Sequence, residues 1–347
     1  MITVRSDIGG GPKHVYDLSR SISNNVKLSI ASPVDEPFFK KFVSTCGKHI
    51  KIPHRRFSIS IFLKLLKYCR EESVDIVHSH GRGAGIYSRL LALFGIKAVH
   101  TFHGAHIEKN LIGSIKNKLD QFLSPLSSAY ICVSNDEKRQ VLSAGWAIDQ
   151  QTTVIHNGVD QKQLNHDYSE LTQKEALLEL GLQHTSKKVW GTLARLNYQK
   201  GIDDLIKEVV ENRSNYEDYL FLVAGNGEEK ENYSNLIKNH GVTNIVLVGE
   251  VSNPATFLRA LDGYFSFARW EGFPISVIEA LAVGLPCVIR DVIGHQDLTK
   301  VCKLFNKNFF ETLEATSSSN DVEFSYTLDA MKDKTLDVYQ HLLGTLK

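Results

Sequence analysis

Short runs rich in β-branched and aliphatic residues alternate with stretches in which apolar residues recur every three or four positions, and the alternation runs through most of the chain. That rhythm predicts parallel strands joined by crossover helices, because parallel neighbours need a long connection returning to the same end of the sheet. In the first half, strands are expected at Ile2–Arg5, Val26–Ala31, Val74–His78, Ala98–Phe102, Tyr130–Val133 and Thr153–Ile155. Helices are expected at about Lys13–Ser23, Ser60–Glu72, Gly83–Phe94 and Leu111–Leu126. Residues 161–187 are polar and mixed, without a strong strand, and read as the crossing into a second domain. There the alternation restarts. Strands are expected at Val189–Ala194, Tyr219–Ala224, Ile245–Val248, Gly263–Phe267 and Pro286–Arg290, with helices at Ile202–Glu211, Lys230–Asn239, Pro254–Leu261 and Pro274–Ala282. A low-complexity run, Thr316–Asn320, precedes a last helix near Tyr326–Leu343.

A chain of 347 residues has room for two domains, each with its own core. Its five scattered cysteines are odd in number and lack metal-ligand spacing, so they read as reduced thiols of a cytoplasmic protein. The amino terminus has no apolar signal-peptide core, and no segment is apolar enough to span a bilayer. The net charge of +1 hides an asymmetry: residues 1–160 carry 21 basic and 13 acidic side chains, and the acidic excess lies beyond them. A basic half suggests an anionic surface or a phosphate-bearing substrate. Nucleic acid is disfavoured, because no aromatic stacking platform or known motif accompanies the charge.

Chemistry concentrates at a few turns. In Trp270-Glu-Gly-Phe-Pro-Ile-Ser-Val-Ile-Glu-Ala280, Gly272 admits a close ligand and Pro274 suits the first position of a helix. Glu271 then sits in a loop and Glu279 about two turns up the helix on the same side. Free N–H groups at the helix start, near Phe273, attract anions or hydroxyls, and two carboxylates can grip the hydroxyls of two sugars. Arg195 and Lys200 flank a loop after a buried strand, where a guanidinium fork and a mobile ammonium can converge on one diphosphate. Gly9, Gly10 and Gly11 follow the first strand; the turn either meets an anion or is merely tight. Gly225 lies in another strand-to-glycine turn that is either nucleotide-facing or structural. His78, His80 and His103 stand at strand ends. A metal site there is set aside, because no carboxylate or cysteine stands at ligand spacing beside them.

The pair of glutamates, with Ala280-Leu-Ala-Val-Gly-Leu-Pro-Cys-Val288, resembles the signature of retaining glycosyltransferases of family 4, and the Arg195-to-Lys200 spacing matches as well. The resemblance implies an α/β GT-B fold, two Rossmann-like doubly wound domains facing a central cleft. It implies an N-terminal acceptor-side domain over 1–165, a nucleotide-sugar domain over 166–325, and a helix over 326–347 that packs back on the first. It also implies that Arg195 and Lys200 hold the donor diphosphate, Glu279 the ribose, and Glu271 with Gly272, Phe273 and Pro274 the donor sugar. The backbone beside Val251 would read the base, His103 would position the reacting sugar, and the Gly9–Gly11 turn would close over the phosphates. Asn157-Gly-Val-Asp160 matches a motif at the domain junction. Asp-x-Asp is absent from the chain, so catalysis without a metal or other cofactor is expected, with a UDP- or GDP-linked donor.

Two departures stand out. The first strand is short, which is expected to weaken the edge of its sheet, and after Gly294 only Val301–Phe305 partly replaces a usual strand. Arg55–Lys67 mixes basic and apolar residues on one helix. It either packs on the sheet with solvated lysines or rests peripherally on the inner, anionic face of a membrane, near a lipid-linked or saccharide acceptor. The favoured activity is transfer of a sugar to a hydroxyl in surface polysaccharide or glycolipid synthesis. Its rivals are a nucleotide-sugar epimerase or hydrolase of the same fold, and a non-catalytic sugar-nucleotide-binding subunit.

Overall fold

A computed structural model of the chain describes residues 1–105, 111–316 and 324–344. The chain forms two compact units, Met1–Gly158 with the segment from Tyr326, and Val159–Ser325. Strands of the first are β1 (Ile2–Thr3), β2 (Ser29–Ser32), β3 (Lys48–Lys51), β4 (Ile76–His80), β5 (Lys97–Thr101), β6 (Ala129–Cys132) and β7 (Thr152–Val154). Its helices are α1 (Gly10–Ile22), α2 (Phe38–Thr45), α3 (Ile59–Glu71), α4 (Arg82–Ala92), α5 (Leu111–Leu123) and α6 (Asn135–Ser143). In the second unit, α7 (Gln161–Ser169) and α8 (Gln173–Glu179) precede β8 (Lys188–Leu193), α9 (Ile202–Glu211), β9 (Tyr219–Ala224), α10 (Lys230–Asn239) and β10 (Ile245–Gly249). There follow α11 (Pro254–Arg259), β11 (Gly263–Ser266), α12 (Ile275–Ala282), β12 (Cys287–Arg290), β13 (Lys303–Phe305) and α13 (Phe309–Glu314). The last helix, α14 (Leu328–Leu343), belongs to the first unit.

Both sheets are parallel and doubly wound, in the orders β3-β2-β1-β4-β5-β6-β7 and β10-β9-β8-β11-β12-β13. In each, the strand order reverses beside the first strand of the unit, so loops at the carboxyl ends of β1 and β4, and of β8 and β11, border the switch point where such sheets bind ligands. The short first strand does not weaken an edge, contrary to expectation. It lies inside the sheet, with Ile2 opposite Ala31 on one side and Ser79 on the other. The edges are β3 and β7, and β3 escaped the hydrophobic pattern because only Ile50 of its Lys-His-Ile-Lys run is buried. Lysines on such an edge discourage pairing with another chain.

Residues 161–187 are not a bare crossing. They carry α7 and α8, which lack a strong apolar stripe and start at capping side chains. Asp160 accepts from the Gln163 N–H at 3.2 Å, and Thr172 and Glu175 form a reciprocal capping box. A further bond, from Arg259 Nε to the Leu171 carbonyl at 2.7 Å, ties this segment to α11.

The final third is also intact. Val288, Ile289 and Arg290 pair with Lys303, Leu304 and Phe305, so β13 supplies the strand that the sequence left in doubt. Phe305 and Phe309 then join Phe221, Phe265 and Phe267 in the second core, with ring centroids 4.6 Å apart for Phe267 and Phe309. Ser317–Asn320 of the low-complexity run lie outside the described residues. Beyond them, α14 packs on α1, and its Met331 and Tyr339 enter a cluster with Leu18, Ile22, Val99 and Ile131. Among the described residues, no helix is long and apolar enough to cross a membrane.

Candidate functional site

In the second unit, the loops after β8, β11 and β12 leave the same edge of three adjacent strands, and they bring the predicted charges together. Lys200 Nζ lies 2.5 Å from Glu271 Oε1, with both side chains mostly buried. The contact was not expected, since separate parts of the donor were assigned to the two residues. Behind it is a frame that sequence reasoning missed. Arg269 meets Asp203 Oδ2 at 2.7 Å and Asp204 Oδ1 at 2.9 Å, its guanidinium lies 3.9 Å from the Tyr198 ring centroid, and Arg290 reaches Asp204 Oδ2 at 2.7 Å. Backbone bonds lock the two loops, from the Arg269 N–H to the Gln199 carbonyl at 2.8 Å and from Gln199 Nε2 to the Trp270 carbonyl at 2.8 Å. The only sequence signal for this frame was Arg269 immediately before Trp270-Glu271, facing the Asp203-Asp204 pair in the first turn of α9.

Glu271 is steadied from a third loop. Its N–H donates to the Ile293 carbonyl at 3.0 Å, and Gly294, at φ +89°, leaves room for the Glu271 carbonyl, which would stand 2.2 Å from any Cβ. Glu279 is on the fifth residue of α12, little more than one turn up rather than two, and is 6% exposed. Pro274 is the N-cap of that helix and not its first residue, and it offers no side-chain cap to the leading N–H groups. Gly272 and Phe273 lie in the preceding loop. Arg195 projects from the loop after β8, 3.6 Å from Glu228, and is more exposed than Lys200. Gly225 has a structural reason to be glycine: the Ala194 carbonyl would stand 1.9 Å from a Cβ. It thereby lets the Arg195 loop lie against the turn after β9. Val251 follows β10 and is partly exposed.

The first unit gathers histidines at the carboxyl ends of β4 and β5. His78 is structural, bonded through Nδ1 to Tyr339 Oη at 2.6 Å and through Nε2 to Thr101 Oγ1 at 2.7 Å. His80 Nδ1 lies 3.3 Å from Nε2 of His103, and the His103 ring is 4.5 Å from that of His14. His14 was not singled out, because it is far away in sequence, on α1. Burial lowers the pKa of His14 to about 4 and pushes His80 and His103 well below the usual imidazole value, so all three are neutral near pH 7. The loop after His103 is clamped by buried Glu137, whose carboxylate accepts from the N–H groups of Gly104 at 2.6 Å and Ala105 at 2.8 Å. Burial raises the pKa of Glu137 despite these bonds. Asn157 is buried in this unit and its Oδ1 accepts from His14 Nδ1–H at 2.8 Å, rather than merely shaping a junction turn. The glycine run is corrected too: only Gly9 precedes α1, and Gly10 and Gly11 already belong to its first turn.

Two parallel, doubly wound sheets of this order, one carrying a cation and carboxylate ledge, define a class. Glycosyl transferases group 1 match residues 176–326 and Glycosyltransferase Family 4 matches residues 8–163. The chain is 31% identical over 274 residues to the UDP-Gal:alpha-D-GlcNAc-diphosphoundecaprenol alpha-1,3-galactosyltransferase of Escherichia coli, covering 75% of this chain and 68% of that protein. It belongs to the group 1 glycosyltransferases and is an enzyme of that class, which removes the epimerase and non-catalytic readings. Solved structures of the same GT-B fold include a glycosyltransferase from Rickettsia africae, with a TM-score of 0.78 at 17% identity over 99% of this chain and 98% of that one. Another is Anabaena HepE in complex with UDP and glucose, with a TM-score of 0.76 at 15% identity over 99% of this chain and 97% of that one.

Proposed function

We propose that the enzyme transfers a hexose from a UDP- or GDP-linked donor to a hydroxyl of a lipid-linked saccharide, with retention of anomeric configuration, in surface glycan or glycolipid synthesis. The observation that carries this reading is the Lys200–Glu271 contact on the ledge that also bears Arg195. Departure of a nucleoside diphosphate concentrates negative charge on the leaving oxygen, and fixed cations aimed at it lower the barrier. Arg195 and Lys200 are assigned to the diphosphate, and no cofactor is assigned there. Glu271, released from Lys200 when the ammonium turns to phosphate, accepts from sugar hydroxyls beside the uncapped start of α12. Buried Glu279 takes the ribose, and the backbone at Val251 takes the base. His103, neutral and partly exposed, is assigned to the reacting saccharide, with the deprotonation of the acceptor assisted by the leaving phosphate.

The lipid-linked acceptor rests on the substrate named for the galactosyltransferase relative and on the surface of α3. That helix buries Leu65, Leu66 and Cys69 in the first core, while Ile59 and Leu63 are 69% and 57% exposed among exposed Lys64, Lys67 and Arg70. Phe94 lies beside it, under Arg70. Apolar side chains among cations suit an anionic headgroup layer. The protein is expected to sediment with vesicles containing anionic lipid at low salt and to be released as salt is raised. Failure to bind at low salt counts against this peripheral contact.

Identifying the donor tests the activity itself. A melting-temperature panel of nucleotide sugars should single out one donor, since a ligand bound only by the native state raises the transition by mass action. With that donor and a pyrophosphoryl-lipid acceptor, the product linkage read by NMR should keep the donor configuration. An inverted linkage would overturn the retaining assignment, and consumption of the donor without an acceptor would overturn the transfer assignment.

A further inference from the structure

The sequence set a metal aside because no carboxylate or cysteine stood at ligand spacing beside its strand-end histidines. Both nitrogens of His78 are committed elsewhere, which leaves His80 and His103 short of a third ligand. The fold supplies one from elsewhere, since α1 carries His14 to the ends of β4 and β5. One nitrogen from each ring lies within 4.8 Å of the other two. His14 and His80 are 3% and 4% exposed, and among the described residues the Nε2 of each is buried without a hydrogen-bond partner. The Nδ1 of His80 meets His103, so its Nε2 points away from that contact, and the orphaned Nε2 of His14 is the one that calls for an occupant of the cluster.

We propose that His14, His80 and His103 form a three-imidazole site for a single divalent transition-metal ion, with zinc as the best fit to its donors. Imidazole suits zinc, and three protein ligands with one position left open is an arrangement zinc accepts. The ring nitrogens need to draw in to about 3.4 Å of one another to hold an ion at about 2.0–2.1 Å. The 3.3 Å separation of His80 Nδ1 and His103 Nε2 already meets that spacing.

The surroundings are those of a metal ligand shell. Asn157 engages the Nδ1 of His14, which fixes that ring and leaves Nε2 as its free nitrogen. A ligating histidine is characteristically oriented in this way, through its other ring nitrogen. His103 is the partly exposed member, and the open position takes water or a hydroxyl. The ion is not assigned to the donor diphosphate, but its open position lies at His103, so its place beside the reacting saccharide rests on the function proposed above, whereas binding of metal to the chain alone does not.

The test is direct binding to the full, tag-free chain after exhaustive dialysis against chelator. Zinc titrated by calorimetry should bind at one equivalent, and cobalt(II) should give a visible absorption spectrum that zinc abolishes. His80→Gln should weaken binding by at least roughly 100-fold, and Asn157→Ala by roughly 10–100-fold through loss of ring orientation. His166→Gln, at a histidine with a 69% exposed side chain, should leave binding unchanged. Where burial makes His80→Gln fold poorly, His103→Gln at the partly exposed position gives the same reading. The proposal is overturned by a wild-type chain that binds less than one equivalent, or by a stoichiometric site that survives His80→Gln or His103→Gln in a folded chain. Binding lost in His166→Gln also overturns it, placing the ion at the surface.

Discussion

Replacing Lys200 with alanine should lower turnover by roughly 10²–10³-fold, the loss seen when one preorganised group opposite developing charge is removed. Stability should change far less. Lys200 and Glu271 keep side-chain exposures of 21% and 11%, so their pair is neither a free surface contact nor a fully dehydrated one. After allowance for solvent screening, breaking it costs about 1 kcal/mol, or about 2–4 °C in a unit of this size. The check is to measure kcat at saturating donor and acceptor alongside thermal melting. Unchanged turnover would remove Lys200 from the site. A collapse of melting temperature together with activity would make the residue structural.

Gly294→Ala should weaken donor binding by at least roughly tenfold and destabilise the second unit by about 2–4 kcal/mol. The alanine Cβ would meet the Glu271 carbonyl at 2.2 Å, and the φ of +89° adds strain for any L side chain. Relief requires the Glu271 loop to move by about 1 Å, the scale at which misplaced binding groups lose function. Gly241→Ala separates strain from displacement. It also has positive φ, at +59°, but nothing stands within 4 Å of its Cβ. It should cost about 1–2 kcal/mol and leave donor affinity untouched. Calorimetric donor binding and urea midpoints of the two variants decide the matter; equal affinities would show that Gly294 does not hold Glu271.

Most strands and helices were legible because parallel sheets bury both faces and write near-continuous apolar runs. The elements that escaped had weak or different signals. Edge strand β3 buries only Ile50, and α7 and α8 are marked by Asp160 and Thr172 caps more than by a stripe. The site was legible where its residues are close in sequence, as with Arg195 and Lys200. It was illegible where the fold joins distant segments. Nothing in a linear reading places Glu271 on Lys200, or Arg269 on Asp203 and Asp204. His14 escaped for the same reason, since α1 meets the ends of β4 and β5 only when the sheet closes. Gly225 shows the converse: a glycine noticed for ligand approach is required by the Ala194 carbonyl.

The return of α14 to the first unit has a consequence for synthesis. Met331 and Tyr339 complete a core begun by Leu18 and Ile22, and Tyr339 caps buried His78. The earlier-made unit is therefore interrupted by the later-made one, like a sentence with a long parenthesis. On the ribosome, where domains fold in order of emergence, the inserted unit can close its core while the surrounding one still waits for its final helix. Until then, the apolar faces of α1, β5 and β6 that α14 will cover stay open, and loss of that terminal segment would strike the beginning of the protein.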